Sequence, residues 1–167
     1  MKSLASALAL ALTLGVGAAP GSTPAADAAP AQSQVDVVGS VFGLFKLRSD
    51  GTALFEPATV VPLVQGQAYG WMLKLRTDAK QVRWREEFML PAAPEVWNGA
   101  ASVPADAGVK HTLSADSRVS IMERVVAPEG GVLMNSWAVE KGDPAGTYRI
   151  RVFVEGRLAA SFEFDVR

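Results

Sequence analysis

The chain has 167 residues, with 16 basic and 17 acidic side chains, a single histidine and no cysteine. A net charge of −1 points to no polyanion or membrane-surface partner. Without cysteine there are no disulfides, no thiol catalysis and no residue to carry an N-terminal lipid, and one histidine excludes zinc sites built from several His or Cys ligands.

Residues 1–18 read as a secretory signal peptide. Lys2 supplies a positive charge, residues 4–14 a short apolar run, and Gly15, Gly17 and Ala18 the small residues of a cleavage region. A second cleavage position lies at Ala26-Asp27-Ala28. The apolar run is too short to span a bilayer, which needs about 20 residues, and no later segment is long and apolar enough. Residues 19–34 are dominated by Ala, Pro, Ser, Gly and Thr and read as a disordered linker. Residues 35–167 then suit one domain large enough to bury a core unaided. The expected location is the periplasm or the exterior.

From Val35 onward the apolar residues recur with period two. The run 35–47 ends at Arg48-Ser49-Asp50-Gly51, a turn signal. The run 53–64 carries Pro57 and Pro62, which cannot donate to a ladder, so it belongs at a sheet edge or is irregular. Tyr69, Trp71, Leu73 and Leu75 share one strand face, and Trp84, Glu86 and Phe88 share another. With Thr77-Asp78-Ala79-Lys80 between them, these two runs predict a central hairpin. Residues 91–111 form a long connection with three prolines. Strands follow over 118–126 and 132–139, and then as a clear pair over 148–154 and 160–166. Seven to eight short strands without a sustained helical period predict an all-β, immunoglobulin-like antiparallel β-sandwich, with a small barrel as the alternative. Asp143-Pro144-Ala145-Gly146-Thr147-Tyr148 is similar to the D-x-G-x-Y corner of such sandwiches, with one extra residue after the Asp. A plain turn before a core tyrosine is the other reading.

Thr59, Pro62, Gly66, Tyr69 and Gly70 resemble a T-x-x-[IV]-P-x-x-x-G-x-x-[FY]-G segment. Trp137, Gly146, Tyr148, Gly156, Leu158, Phe162 and Val166 are similar to a pattern of turn, aromatic, strand, glycine turn and terminal F-x-V. Together they resemble a bacterial domain-of-unknown-function family of secreted β-rich, immunoglobulin-like proteins. The resemblance rests on turn glycines and core aromatics, so it implies fold and export and assigns no chemistry.

No catalytic residue, metal site or cofactor is expected. His111 stands in a Pro/Ala/Gly-rich stretch with no G-x-S-x-G around any serine, and no phosphate-binding glycine loop is present. Paired carboxylates are the one enzymatic arrangement to consider. Glu86 is in phase with Trp84 and Phe88, and Glu123 with Ile121 and Val125, so both point inward and would form an acid/base pair of glycosidase type. A β-bulge that shifts the phase, or a buried partner such as Arg149 or Arg151, would instead make them structural.

Two binding surfaces are expected. Lys74, Arg76, Arg83 and Arg85 would share one face of the central hairpin as a cationic patch, or as a solvated face that deters aggregation. Trp97 lies in the long connection, where an indole anchors a protein interface, stacks on a sugar, or plugs the end of the sandwich. The functional expectation is an exported, non-enzymatic module binding a secreted protein or envelope component, with no nucleic acid and no membrane span. The alternative is a carbohydrate-binding or carbohydrate-processing domain using Trp97 with Glu86 and Glu123.

Overall fold

The structure, a computed structural model, describes residues 34–47, 53–97 and 108–167. The expected signal peptide, nearly all of the linker, and the turn at Arg48-Ser49-Asp50-Gly51 lie outside the described residues. The described residues form ten strands: β1 Val35–Leu47, β2 Ala53–Pro57, β3 Val60–Val61, β4 Ala68–Thr77, β5 Val82–Met89, β6 Val109–Leu113, β7 Val119–Val126, β8 Val132–Ala138, β9 Gly146–Val154 and β10 Arg157–Val166. The all-β sandwich is as expected, and the count exceeds seven to eight because β3 and β6 are short. Among the described residues no helix is long and apolar enough to cross a membrane.

The strands build a four-stranded sheet in the order β2-β1-β4-β8 and a six-stranded sheet in the order β3-β10-β9-β5-β7-β6. The proline-bearing run splits as its sequence requires. Its halves, β2 and β3, lie at edges of the two sheets, where a missing N–H costs no ladder bond. The central hairpin is not formed: β4 and β5 belong to different sheets, and residues 78–81 carry the chain across. Both strands bury one face, and a buried face is satisfied equally by a neighbour in the same sheet or by the opposite layer.

Aromatic and branched side chains from both layers fill the space between the sheets. Phe42 stacks on Phe164 at 4.1 Å between ring centroids, and Trp71 meets Trp84 edge-on at 5.3 Å. Ile150, Val152 and Leu73 are sealed among them. The β9–β10 pair is a hairpin whose two-residue loop, Glu155-Gly156, has φ values of 47° and 77°. Positive φ at both positions is the type I′ geometry that matches strand twist.

The corner before β9 forms despite its extra residue. The Tyr148 hydroxyl donates to the Pro144 carbonyl at 2.7 Å, while the ring is buried against Phe88 and Phe164. Burial pushes the phenol pKa up, so the hydroxyl stays a donor at all physiological pH. Tyr148→Phe keeps the ring and leaves the carbonyl without this donor, and should cost about 1 kcal/mol in urea unfolding. An unchanged midpoint would show that the bond contributes nothing.

Candidate functional site

Glu86 is the centre of the polar chemistry inside the sandwich. β5 pairs with β7 and β9 without a register shift, so no bulge turns Glu86 outward, and the side chain is fully buried. Arg149 and Arg151 are not its partners. They lie on the outer face of the six-stranded sheet, with Arg149 bonded to Glu163 and Arg151 to Glu87. The carboxylate instead accepts hydrogen bonds from the opposite sheet. The Trp71 indole N–H on β4 donates to Oε2, the Trp137 indole N–H on β8 donates to Oε1 at 2.8 Å, and the Asn135 amide spans both oxygens at 3.1 and 3.2 Å. Burial pushes the Glu86 carboxyl above its ordinary range, while these three donors and the charge of Arg124 pull the other way.

This cluster clamps the layers together. The register Trp71↔Asn135 and Tyr69↔Trp137 brings two donor-bearing residues of β8 to the same inner face as Trp71. All three side chains donate to the fully buried Glu86 carboxyl, Trp71 from the sealed core and Asn135 and Trp137 from partly buried positions.

Glu123 does not join it. Its Cα partners on the neighbouring strands, Arg85 and Lys110, are outward-facing, and the inner face of β7 is formed by Ser120, Met122 and Arg124. The expected phase is reversed because β7 presents Ile121 and Val125 to the outside and mixes Ser120 and Arg124 with the apolar Met122 on the inside. Glu86 and Glu123 therefore sit on opposite sides of one sheet and form no acid/base pair of the kind glycosidases use.

The expected cationic patch is also divided. Lys74 and Arg76 lie on the outer face of the four-stranded sheet, with Arg76 bonded to Asp36 at 3.2 Å. Arg83 and Arg85 lie on the outer face of the six-stranded sheet, on the opposite side of the molecule. Arg85 bonds Glu87 at 2.7 Å and stacks on Phe153 at 4.3 Å. The four cations do alternate outward along their strands as expected, but β4 and β5 belong to different sheets, so no shared face exists.

Trp97 packs edge-on to Phe88 and Trp137 at about 6 Å, and its indole N–H donates to the Ser117 carbonyl at 2.7 Å. It is half-buried against the core and closes the sandwich at this end. His111 belongs to β6 and not to a loop, and its Nε2 lies 2.7 Å from Ser120 Oγ. Burial pushes its imidazole pKa down. Ser120 is buried, so this pair offers a substrate no accessible nucleophile. Among the described residues no three His, Asp or Glu side chains come together to hold a metal ion.

The feature that sequence reasoning missed is the open edge of β8. Among the described residues β8 pairs with β4 alone. The Val139 N–H donates to the Gln67 carbonyl at 3.0 Å, and the Gly131 carbonyl accepts from the Leu75 N–H at 2.7 Å. Odd-numbered residues thus face β4, and alternation turns the backbone groups of Met134, Ser136 and Ala138 to the open side. The other edges carry protection. β2 ends at Pro57 and bears the Lys46–Glu56 ion pair, β3 has two residues, and β6 carries Lys110. β8 has no charge, no proline and no bulge over its seven residues. Its composition, VLMNSWA, is a sequence signal for such an edge, but only topology shows that β8 is one.

A family model described as the PM0630 beta sandwich domain matches residues 40–167. The chain belongs to this family. Membership in the PM0630 beta sandwich family agrees with the resemblance seen in the turn glycines and core aromatics. No curated protein matches the chain. Among solved structures, an immunoglobulin-like protein from Pseudomonas aeruginosa aligns over 82% of this chain and 99% of its own, with a TM-score of 0.54 and 19% identity. That likeness shows the immunoglobulin-like fold. The Pseudomonas fluorescens alkylpurine DNA glycosylase AlkC, bound to DNA containing an abasic site analog, aligns over 82% of this chain and 31% of its own. Its TM-score is 0.37 and its identity 11%, too slight a likeness to carry an argument about this chain.

Proposed function

We propose that this PM0630-family domain is an exported, non-enzymatic module that binds a secreted or envelope protein by accepting one of its segments as a further strand on β8. The unguarded β8 edge carries this reading. An extended segment gains main-chain hydrogen bonds from the outward groups of Met134, Ser136 and Ala138, and its alternating side chains provide specificity. The layers support the same position. Trp71 of β4, and Asn135 and Trp137 of β8, reach Glu86 of β5, so β7 and β6 extend beyond β8 in the other layer. On that overhang Leu113 is exposed, and His111 and Arg124 are partly so. A fifth strand beside β8 would cover them. Export rests on the charged, apolar and small-residue order of residues 1–18.

The test is photo-crosslinking in the producing organism, with the crosslinking residue at Met134 and, as a control, at Val125 on the far face. Their exposures are 51% and 49%, so accessibility alone does not separate them. One dominant protein adduct is expected from position 134 and not from 125. It should disappear when Ser136→Pro removes an outward N–H while sparing the bonds to β4. Equal adducts at both positions, or none at 134 in a folded variant, would overturn strand addition.

A further inference from the structure

A cavity of about 290 Å³ lies at the Val132–Met134 end of β8. Its walls include Trp84, Val126, Leu133 and Met134, and Arg124 and Glu129 also reach it. Arg124 is the one cation among these lining residues. It stands on the inner face of β7 because its Cα partner is Trp84, whose indole is sealed in the core. Its Nε is buried and has no hydrogen-bond partner. Such a group normally carries a desolvation penalty of the kind that folded proteins avoid. Glu129 lines the same cavity from its exposed rim, yet no ion pair within 4.0 Å joins it to Arg124.

We propose that this cavity receives the carboxylate of an acidic side chain carried by the strand that adds to β8, with Arg124 as its anchor; the inference rests on the strand-addition reading above. The geometry follows from the layering. A strand beside β8 joins the row of Leu133, Asn135 and Trp137, and every second side chain on it points between the sheets toward β7. Near Leu133 such a side chain enters the space beside Arg124. A carboxylate there gives the guanidinium a charged acceptor, and water exclusion by Trp84, Val126 and Leu133 strengthens the pair. The apolar walls also accommodate the methylene stem. Exposed Glu129 at the rim offsets part of the attraction of Arg124, so the cavity suits a single acidic side chain and not a cluster of them.

The experiment uses the full chain with the crosslinker at Met134, comparing Arg124→Met with Arg124→Lys. Arg124→Met should reduce adduct yield about tenfold, the effect of one lost charge-assisted bond. Arg124→Lys should keep part of it, with both variants melting near the parent temperature. The partner peptide mapped at the crosslink should carry an Asp or Glu within two residues, and its change to Asn or Gln should add no further loss in the Arg124→Met background. An unchanged yield in Arg124→Met, or a mapped peptide without an acidic residue, overturns the proposal.

If position 134 gives no adduct, strand addition itself has failed, and a hexanoate titration read at the Arg124 Nε–H resonance settles the cavity. Saturable shifts in the range of about 1 mM, absent with hexanol and in Arg124→Met, would replace the partner side chain by a free carboxylate. No shift would leave Arg124 without an anionic ligand and overturn the inference.

Discussion

Replacing Glu86 by alanine is expected to lower the unfolding free energy by about 3 kcal/mol. Three donors, the fully buried Trp71 indole and the partly buried Trp137 indole and Asn135 amide, end on its two oxygens. Removing the acceptor leaves the Trp71 N–H without a partner in the core, at a cost of about 1–3 kcal/mol, and costs less for each of the two partly buried donors. Against this stands the release of a buried acid whose charged form is unfavourable there, shown by the upward direction of its pKa. The loss of these bonds, led by that of the sealed Trp71 indole, outweighs that relief.

The pH dependence separates the two contributions. The folded-state pKa of Glu86 is raised, so the folded protein holds its proton to higher pH than the unfolded chain. The stability it contributes is fully present below the unfolded value of about 4.3 and is lost as pH rises through the folded value. The gap between the parent and Glu86→Ala should therefore be widest near pH 4 and narrow toward neutrality. Asp143, also raised by burial, has the same sign but is present in both proteins and cancels in the comparison. Urea unfolding followed by tryptophan fluorescence across this range reads the effect directly. A gap that widened with rising pH would show that the three donors hold Glu86 as a stabilised anion.

Gly70→Ala should cost about 3 kcal/mol and act on β8 specifically. A Cβ at Gly70 would lie 2.1 Å from the Asn135 carbonyl oxygen and 2.9 Å from the Ser136 Cα. Both are backbone atoms of the facing strand, so neither can swing aside, and β4 and β8 must separate. Asn135 and Trp137 would be drawn from Glu86 with them. Amide hydrogen exchange should show lost protection in Tyr69–Leu73 and Leu133–Trp137 before any change in β9 and β10. Uniform loss of protection would mean that β8 is no separate unit, and full stability would refute the close approach.

Much of the architecture is legible in the chain itself. Most strand spans, the edge position of the proline-bearing run, the tyrosine corner and the inward face of Glu86 follow from local pattern, whereas β6 lies partly inside the run that reads as a connection. Period-two contrast, proline chemistry and turn residues act within a few positions of one another. The orientation of Glu123 is not legible in the chain because β7 has apolar residues on both faces, which removes the contrast that reveals phase. What only the tertiary structure decided is which strands share a sheet. Pairing depends on hydrogen bonds between distant segments, and a buried face is compatible with a neighbour beside it or a layer above it. That choice divides Lys74 and Arg76 from Arg83 and Arg85, brings Trp71, Asn135 and Trp137 to one carboxylate, and leaves β8, among the described residues, with an open edge beside Arg124.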